Sequence, residues 1–321
     1  MEAQAQKVIA VMTSGGDAPG MNAAVRGVYS RAKEYGYKVI GIRDGFTGLI
    51  HEDLFEMTDA FVACIIGRGG TELGTSRCEE FKEAKTQKLA ADICRKHGIS
   101  AVVVIGGDGS FQGALCLYHQ GIGVVGIPGT IDLDIGCTEY TLGFDTAVNS
   151  AIDSIDKIMD STRAHKCFSV VEVMGRRRGY IAMWCGIANS AAKIIVPEKQ
   201  ETIEEICGEL KAKNLRGGLI VVAEGAGSAK DYAEAIEQNL GVHTRVDVLG
   251  FLQRGGNPTA RDRVCGCKMG AYAVDMIRND RTCHIVAAKD GDLTATWIED
   301  ALREVRDLPE WLGKLGKTIT G

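Results

Sequence analysis

The sequence predicts an α/β protein of two Rossmann-like domains, each a mainly parallel sheet covered by helices on both faces. Two observations predict it. Strand-like apolar runs alternate with helical stretches almost from end to end, the rhythm of β/α units. Three of those runs also pass directly into loops that combine glycines with an aspartate, where ligands sit in such sheets.

Taken in order, the strand-like runs are Val8–Met12, Lys38–Ile42, Val102–Ile105, Val124–Ile127, Phe168–Met174, Lys193–Val196, Gly218–Ala223 and His284–Ala287. Helical periodicity with few breakers marks Met21–Tyr35, Cys78–His97, Phe111–His119, Thr146–Asp160, Thr202–Lys213, Asp231–Gln238 and Asp262–Arg278. Glycines are dense before residue about 145 and again around Gly250–Asn257, with a second β/α series from Phe168 to Ala223 between them. The expected domains are therefore residues 1–142 plus about 253–303, and about 143–252 plus 304–321, with the ligand cleft between them. Five prolines and no low-complexity segment leave no room for a long flexible linker.

Composition excludes several classes. The 321 residues, 45% hydrophobic and 25% charged, are those of a soluble globular protein. A net charge of −5 gives no reason to expect nucleic acid or a membrane surface as partner, and Arg176-Arg177-Arg178 is too short a run to change that. Eleven cysteines without a signal peptide point to a reducing cytoplasm, and only Cys265-Gly266-Cys267 forms a close pair. The cysteines are read as small buried hydrophobes. No apolar run is long enough to span a bilayer. No histidine stands in an HExxH or triad context, and Trp184, Trp297 and Trp311 are read as core or interface residues.

The three loops carry the chemistry. Thr13-Ser14-Gly15-Gly16-Asp17-Ala18-Pro19-Gly20 follows the first strand. Gly106-Gly107-Asp108-Gly109-Ser110 suits close approach of backbone amides to a polyphosphate, and Asp108 becomes useful there if a divalent cation lies between. The same loop could be a tight structural turn. A Walker A loop is absent; Gly316-Lys317-Thr318 has no strand before it and reads as a polar tail. In Pro128-Gly129-Thr130-Ile131-Asp132-Leu133-Asp134, the two aspartates would share one side of an extended chain. One could take a hydroxyl proton while the other helps hold metal; the bland alternative is a pair of solvated turn acids. Arg176 follows the strand Ser169–Val173, and Arg77, Arg245 and Arg254 also fall near glycines or strand ends. As a set they suit an anionic substrate and a transferring phosphoryl group; singly, each could be a surface salt bridge. Glu224 could accept bonds from sugar hydroxyls or stand beside a helix N-cap.

At Thr13–Asn22, Arg68–Gly74, Ile105–Ser110, Pro128–Asp134, Ser169–Arg176, Leu249–Pro258 and Met269–Asp275 the chain resembles the ATP-dependent 6-phosphofructokinase family, nearly end to end. The resemblance implies transfer of the γ-phosphate of Mg-ATP to the 1-hydroxyl of fructose 6-phosphate, in a cytoplasmic homotetramer of two-domain subunits under allosteric control. It assigns ATP to the first domain and the sugar phosphate to the second. Gly16, Arg77, Cys78, Gly107, Asp108, Gly109 and Ser110 match the ATP loop, with Asp108 the Mg2+ ligand. Asp132 matches the base, with Thr130 beside it, and Arg176, assisted by Arg77, matches the arginine that stabilises the transferring group. Met174, Gly175, Glu224, Arg245 and Arg254 match sugar-phosphate contacts. Gly109 and Gly129 stand where pyrophosphate-dependent relatives carry Asp and Lys, which favours ATP.

Three positions depart from the family pattern. Cys167 replaces an arginine that grips the substrate phosphate from a neighbouring subunit, Phe251 a histidine on that phosphate, and Leu133 an asparagine. Hydrogen bonds to charged groups contribute roughly 1.5–3 kcal/mol each, so two uncompensated losses would weaken substrate binding about 10² to 10⁴-fold. Lys166 is expected on the opposite strand face from Cys167. On the effector side Arg26 matches, but Ser30, Asp59 and Met159 replace basic residues, so weak control by ADP and phosphoenolpyruvate is expected. The alternatives are a catalytically weak regulatory subunit and a kinase for a related sugar phosphate.

Overall fold

A computed structural model describes residues 6–320. Its strands are β1 (Val8–Thr13), β2 (Lys38–Ile42), β3 (Leu54–Glu56), β4 (Ile99–Gly106), β5 (Gly123–Pro128), β6 (Phe168–Val173), β7 (Lys193–Ile195), β8 (Gly218–Ala223), β9 (Thr244–Val248), β10 (His284–Lys289) and β11 (Asp292–Trp297). Its helices are α1 (Met21–Glu34), α2 (Gly45–Ile50), α3 (Asp59–Val62), α4 (Ala84–Lys96), α5 (Asp108–His119), α6 (Phe144–His165), α7 (Tyr180–Ala188), α8 (Ile203–Ala212), α9 (Ala229–Leu240), α10 (Ala260–Arg278), α11 (Ile298–Ala301) and α12 (Glu310–Thr320). None of the described helices is long and apolar enough to cross a membrane.

The chain divides into two compact units. The first comprises Met1–Ile131, Ile135–Asp145 and Arg254–Arg306; the second comprises Asp132–Asp134, Thr146–Gln253 and Asp307–Gly321.

The first unit holds a seven-stranded sheet in the order β11-β10-β5-β4-β1-β2-β3. Its centre is parallel, and the two edges, β3 and β11, run antiparallel. Strand β1 sends the chain to β2 on one side, and the chain returns through β4 on the other, so the sheet reverses direction between β1 and β4. The apolar runs form strands here because both sheet faces are covered: Val102, Val103, Val104 and Ile105 are fully buried. On one face α1 and α10 lie backbone against backbone, since a Cβ at Gly27 would come 2.4 Å from the Cys267 carbonyl oxygen.

The second unit is a four-stranded parallel sheet, β7-β8-β6-β9, with its own core of Phe168, Val170, Ile220, Val222, Leu210 and Ile236. Helix α8 begins as its sequence suggests. Thr202 and Glu205 form a reciprocal capping box.

Several expectations need correction. Strand β9 was not anticipated, because Thr244–Val248 alternates Val with Arg and Asp, the pattern of an edge strand with one unburied face. The polar tail is helix α12, which buries Leu312 and Gly316. The helix expected over Cys78–His97 breaks at Glu83 into a 3-10 turn, Glu79–Lys82, and α4. Of the two readings of Trp184, Trp297 and Trp311, core does not hold, since all three are exposed on this chain, and their exposure does not contradict the interface reading. Trp297 stacks on His284 at 4.6 Å between ring centroids. Six of the eleven cysteines are buried, Cys64 is exposed, and burial pushes the Cys94 and Cys185 thiols up to about 12.

Candidate active site

In the first unit the three glycine loops start side by side. Thr13 at the end of β1 is in register with Ile105, and Gly106 at the end of β4 with Pro128 of β5. All three loops therefore leave the carboxyl edge of adjacent strands, and the first two flank the point where the sheet reverses. The Ser14 amide donates to the Ile105 carbonyl at 2.9 Å, and Ser110 Oγ donates to the Ser14 carbonyl at 3.0 Å, which ties the first loop to the second. Thr75 Oγ1 donates to the Gly15 carbonyl at 2.9 Å and so brings Arg77 and Cys78 beside the same loop. Arg77 is exposed and Cys78 half-buried.

Gly107 caps α5 and Asp108 is its first residue, so the helix presents its free amides at the loop. A side chain at Gly107 or Gly109 would meet nothing within 4 Å, whereas one at Gly129 would come 3.0 Å from Met21 Cε and 3.1 Å from Ile105 Cγ2. The two glycines thus serve different ends: Gly109 leaves space in front of the helix, and Gly129 lets β5 turn against the core. Arg254 lies against the first loop. Its Nη1 is 3.2 Å from where a Gly16 Cβ would stand and 3.9 Å from Asp17 Oδ1. Thr130 is half-buried, and its carbonyl accepts from Thr141 Oγ1 at 2.6 Å.

In the second unit the carboxyl ends of β6, β8 and β9 form another edge. Val173 is paired with Ala223, and Glu172 with Val248. Met174 and Gly175 are buried there, Arg176 and Glu224 are exposed, and the Glu224 amide donates to the Val173 carbonyl at 2.9 Å. Glu224 precedes the α9 cap, Ser228, by four residues, so it is not a capping neighbour. The 3-10 turn Gly250–Gln253 follows β9 and exposes Phe251. Buried Gln253 accepts from the Met174 amide at 3.0 Å and donates to the Gly250 carbonyl at 3.0 Å, joining two of these segments. Sequence reasoning missed Gln253, although it lies within Leu249–Pro258.

Asp132 and Asp134, both half-buried, group with this second unit. They are not in extended chain. Ile131 and Asp132 form a turn, and buried Leu133 has φ 53°, so alternation along a strand does not set where the carboxylates point.

Arg245 is not brought to the Arg176 and Glu224 edge. It sits at the amino end of β9, opposite Ser169, four residues before Val173. At about 3.3 Å per residue the separation is on the order of 13 Å. Cys167 precedes β6 at that same amino end; it is 1% exposed, with Sγ 3.9 Å from the Thr162 carbonyl. Lys166 lies in a left-handed turn at φ 50° before the strand, rather than on an opposite strand face.

A family model described as phosphofructokinase matches residues 8–277. The chain belongs to the phosphofructokinase family. The ATP-dependent 6-phosphofructokinase of Clostridium tetani is 48% identical over 315 residues, covering 97% of this chain and 99% of that one. The enzyme of the same name from Clostridium botulinum is 45% identical over 309 residues, covering 95% and 97%. The phosphofructokinase structure from Saccharomyces cerevisiae superposes with a TM-score of 0.88 at 31% identity, over 98% of this chain and 47% of the yeast chain. This phosphofructokinase thus spans about half the length of that relative. A pyrophosphate-dependent phosphofructokinase from Marinobacter aquaeolei, at 20% identity and a TM-score of 0.86, shares the fold.

Among the described residues no three His, Cys, Asp or Glu side chains gather into a metal cage. A magnesium ion does not need one, because it commonly keeps waters and takes one or two carboxylates plus substrate phosphates. Asp108, a hard oxygen donor beside the open positions at Gly107 and Gly109, fits such an ion.

Proposed function

We propose that this phosphofructokinase transfers the γ-phosphate of ATP to the 1-hydroxyl of fructose 6-phosphate, giving fructose 1,6-bisphosphate and ADP. The observation that carries the reading is the register of three phosphate-type loops on adjacent strands of one unit, together with Arg176, Glu224 and Met174 on one strand edge of the other. The first unit takes ATP and the second takes the sugar phosphate. Gly16, Arg77, Cys78 and Gly107–Ser110 receive the nucleotide phosphates, with backbone amides at the α5 start facing the anion. Asp108 would hold Mg2+ together with the nucleotide phosphates, and the ion would supply charge neutralisation on the transferring group when bound.

Asp132 accepts the proton of the 1-hydroxyl as its oxygen forms a bond to the γ-phosphorus and the bond to ADP breaks. Thr130 helps place that hydroxyl. Arg176, assisted by Arg77, stabilises the negative charge on the phosphoryl oxygens in transit. Met174, Gly175, Glu224, Phe251 and Arg254 shape the sugar-phosphate side. The space at Gly109 admits the α-phosphate of ATP.

Arg245 serves the substrate phosphate of a neighbouring copy in a homo-oligomer, of which a tetramer is the expected form. Its support is the placement of Arg245 away from its own Arg176 edge, on a strand whose outer face exposes Val246 and Val248. A cytoplasmic setting agrees with the abundance of free cysteines.

The test is initial-rate measurement with Mg-ATP and fructose 6-phosphate from micromolar to tens of millimolar, with Asp132→Asn as blank. Saturable turnover that falls by at least about 10³-fold in the blank is expected, the scale of a lost general base plus a misplaced acceptor. Absence of turnover at every concentration, with ATP binding intact, would refute the reading in favour of a regulatory subunit or a different acceptor.

A further inference from the structure

Asp262 is fully buried in the first turn of α10, outside every residue given a role above. A carboxylate away from water is costly unless donors satisfy it. Here Oδ1 accepts from the Tyr140 hydroxyl at 2.5 Å and from the Gly143 amide at 2.8 Å. Thr259 caps the helix by accepting from the Asp262 amide at 3.3 Å, so Thr259-x-x-Asp262 looks in sequence like a capping box. The Asp262 carboxylate nonetheless reaches the segment 140–143.

That segment is strapped to the third loop. The Leu142 amide donates to the Pro128 carbonyl at 2.9 Å, and Thr141 Oγ1 to the Thr130 carbonyl at 2.6 Å. Gly143, at φ 99°, is wedged where a Cβ would come 2.8 Å from Ala18 Cβ, 3.1 Å from Pro19 Cδ and 3.0 Å from Ile131 Cγ2. Ala18 and Pro19 belong to the first loop, and Ile131 directly precedes Asp132. Asp262 also backs the first loop itself: a Cβ on Gly20 would meet Asp262 Cβ at 3.2 Å. One side chain therefore bears on both loops.

We infer that Asp262 is a positioning residue for phosphoryl transfer, fixing the spacing between the Thr13–Gly20 loop and the Pro128–Ile131 loop through Gly143 and Tyr140. The inference rests on the phosphotransfer reading of those loops. Burial, and then the charge of neighbouring Asp262, push the pKa of the Tyr140 hydroxyl well above its ordinary value, which keeps it a donor throughout the working pH range. Arg261 stands over the Tyr140 ring at 4.5 Å and 3.9 Å from Asp145, so the clamp also holds a cation close by. Because the clamp acts on geometry and contributes no group to the substrates, its loss should appear in kcat. A misplacement of about 1 Å at the reacting atoms costs on the order of 10²-fold.

The experiment compares Asp262→Asn, Asp262→Ala and Tyr140→Phe in the full chain, reading kcat, both KM values and the melting midpoint. Asparagine keeps an acceptor oxygen for both donors, so its kcat should stay within about threefold of the parent. Alanine should lower kcat by roughly 10²-fold while the KM for Mg-ATP moves by less than about threefold. An unchanged kcat in folded Asp262→Ala, or equal losses in the Asn and Ala variants, would overturn the assignment. If the alanine variant does not fold, Tyr140→Phe decides: it removes one bond and keeps the ring, and a kcat equal to the parent's overturns the proposal. Failure of the underlying functional reading looks different, because the parent itself would then show no turnover.

Discussion

The Arg245 guanidinium donates to Ser161 Oγ at 2.8 Å, which holds it along the end of α6 at the amino end of β9. Arg176 and Glu224 lie at the other end of the same sheet. Arg245→Ala should raise the KM for fructose 6-phosphate by about 10 to 10²-fold and leave kcat within a few-fold, the loss of one charge-assisted bond. An unchanged KM would remove Arg245 from substrate binding. In a mixed oligomer the effect should disappear at the site of an Arg245→Ala copy whose neighbour carries the parent Arg245.

Cys167 is enclosed by its own unit, with its carbonyl accepting from the Gly218 amide at 3.0 Å. Restoring an arginine there puts a long cation into a filled position. Overpacking alone costs typically 1–3 kcal/mol, and in a protein of this size 1 kcal/mol corresponds to about 2–4 °C in Tm. Cys167→Arg is expected to lower Tm by at least about 3 °C without tightening fructose 6-phosphate. A tenfold fall in KM at unchanged Tm would show that the position opens to substrate after all.

Gly109 and Gly129 should respond differently to the acidic and basic residues that favour pyrophosphate. Gly109 faces open space, so Gly109→Asp should fold normally and raise the KM for ATP by roughly tenfold or more, through like charge near the phosphates. Gly129→Lys has Met21 and Ile105 in its way and should lower Tm as well as activity. Equal stability losses in the two variants would contradict this division.

The expected effector site is already internally paired. Lys33 Nζ lies 2.6 Å from the Asp59 carboxylate, Tyr29 donates to it at 3.1 Å, and Arg26 donates to the Val62 and Ala63 carbonyls at 2.9 and 3.1 Å. The bond from Lys33, then that from Tyr29, holds the Asp59 carboxyl below its ordinary range, so it stays negative at neutral pH and repels a phosphate. Phosphoenolpyruvate should shift half-saturation by fructose 6-phosphate less than about twofold. A strongly sigmoidal rate curve that ADP relieves would show that the site works.

Much of the molecule was legible from sequence for a definite reason. Strands buried on both faces are continuous apolar runs, so β1, β4, β5, β6 and β8 and the loops after them could be read directly. Edge strand β9 and helix α12 could not, because a half-exposed element mixes polar and apolar residues and its partner face is chosen by packing. The amino-acid sequence by itself determined the β/α rhythm, the three glycine loops, and the residue types that handle phosphate and proton. Only the tertiary structure decided that Leu133 turns the Asp132 segment out of extended chain, that Arg245 stands about four residues from the Arg176 edge, and that Asp262 clamps Gly143. Those three facts depend on register and on which distant backbone groups meet. Local propensity and periodicity carry no term for such meetings; the packed fold sets them.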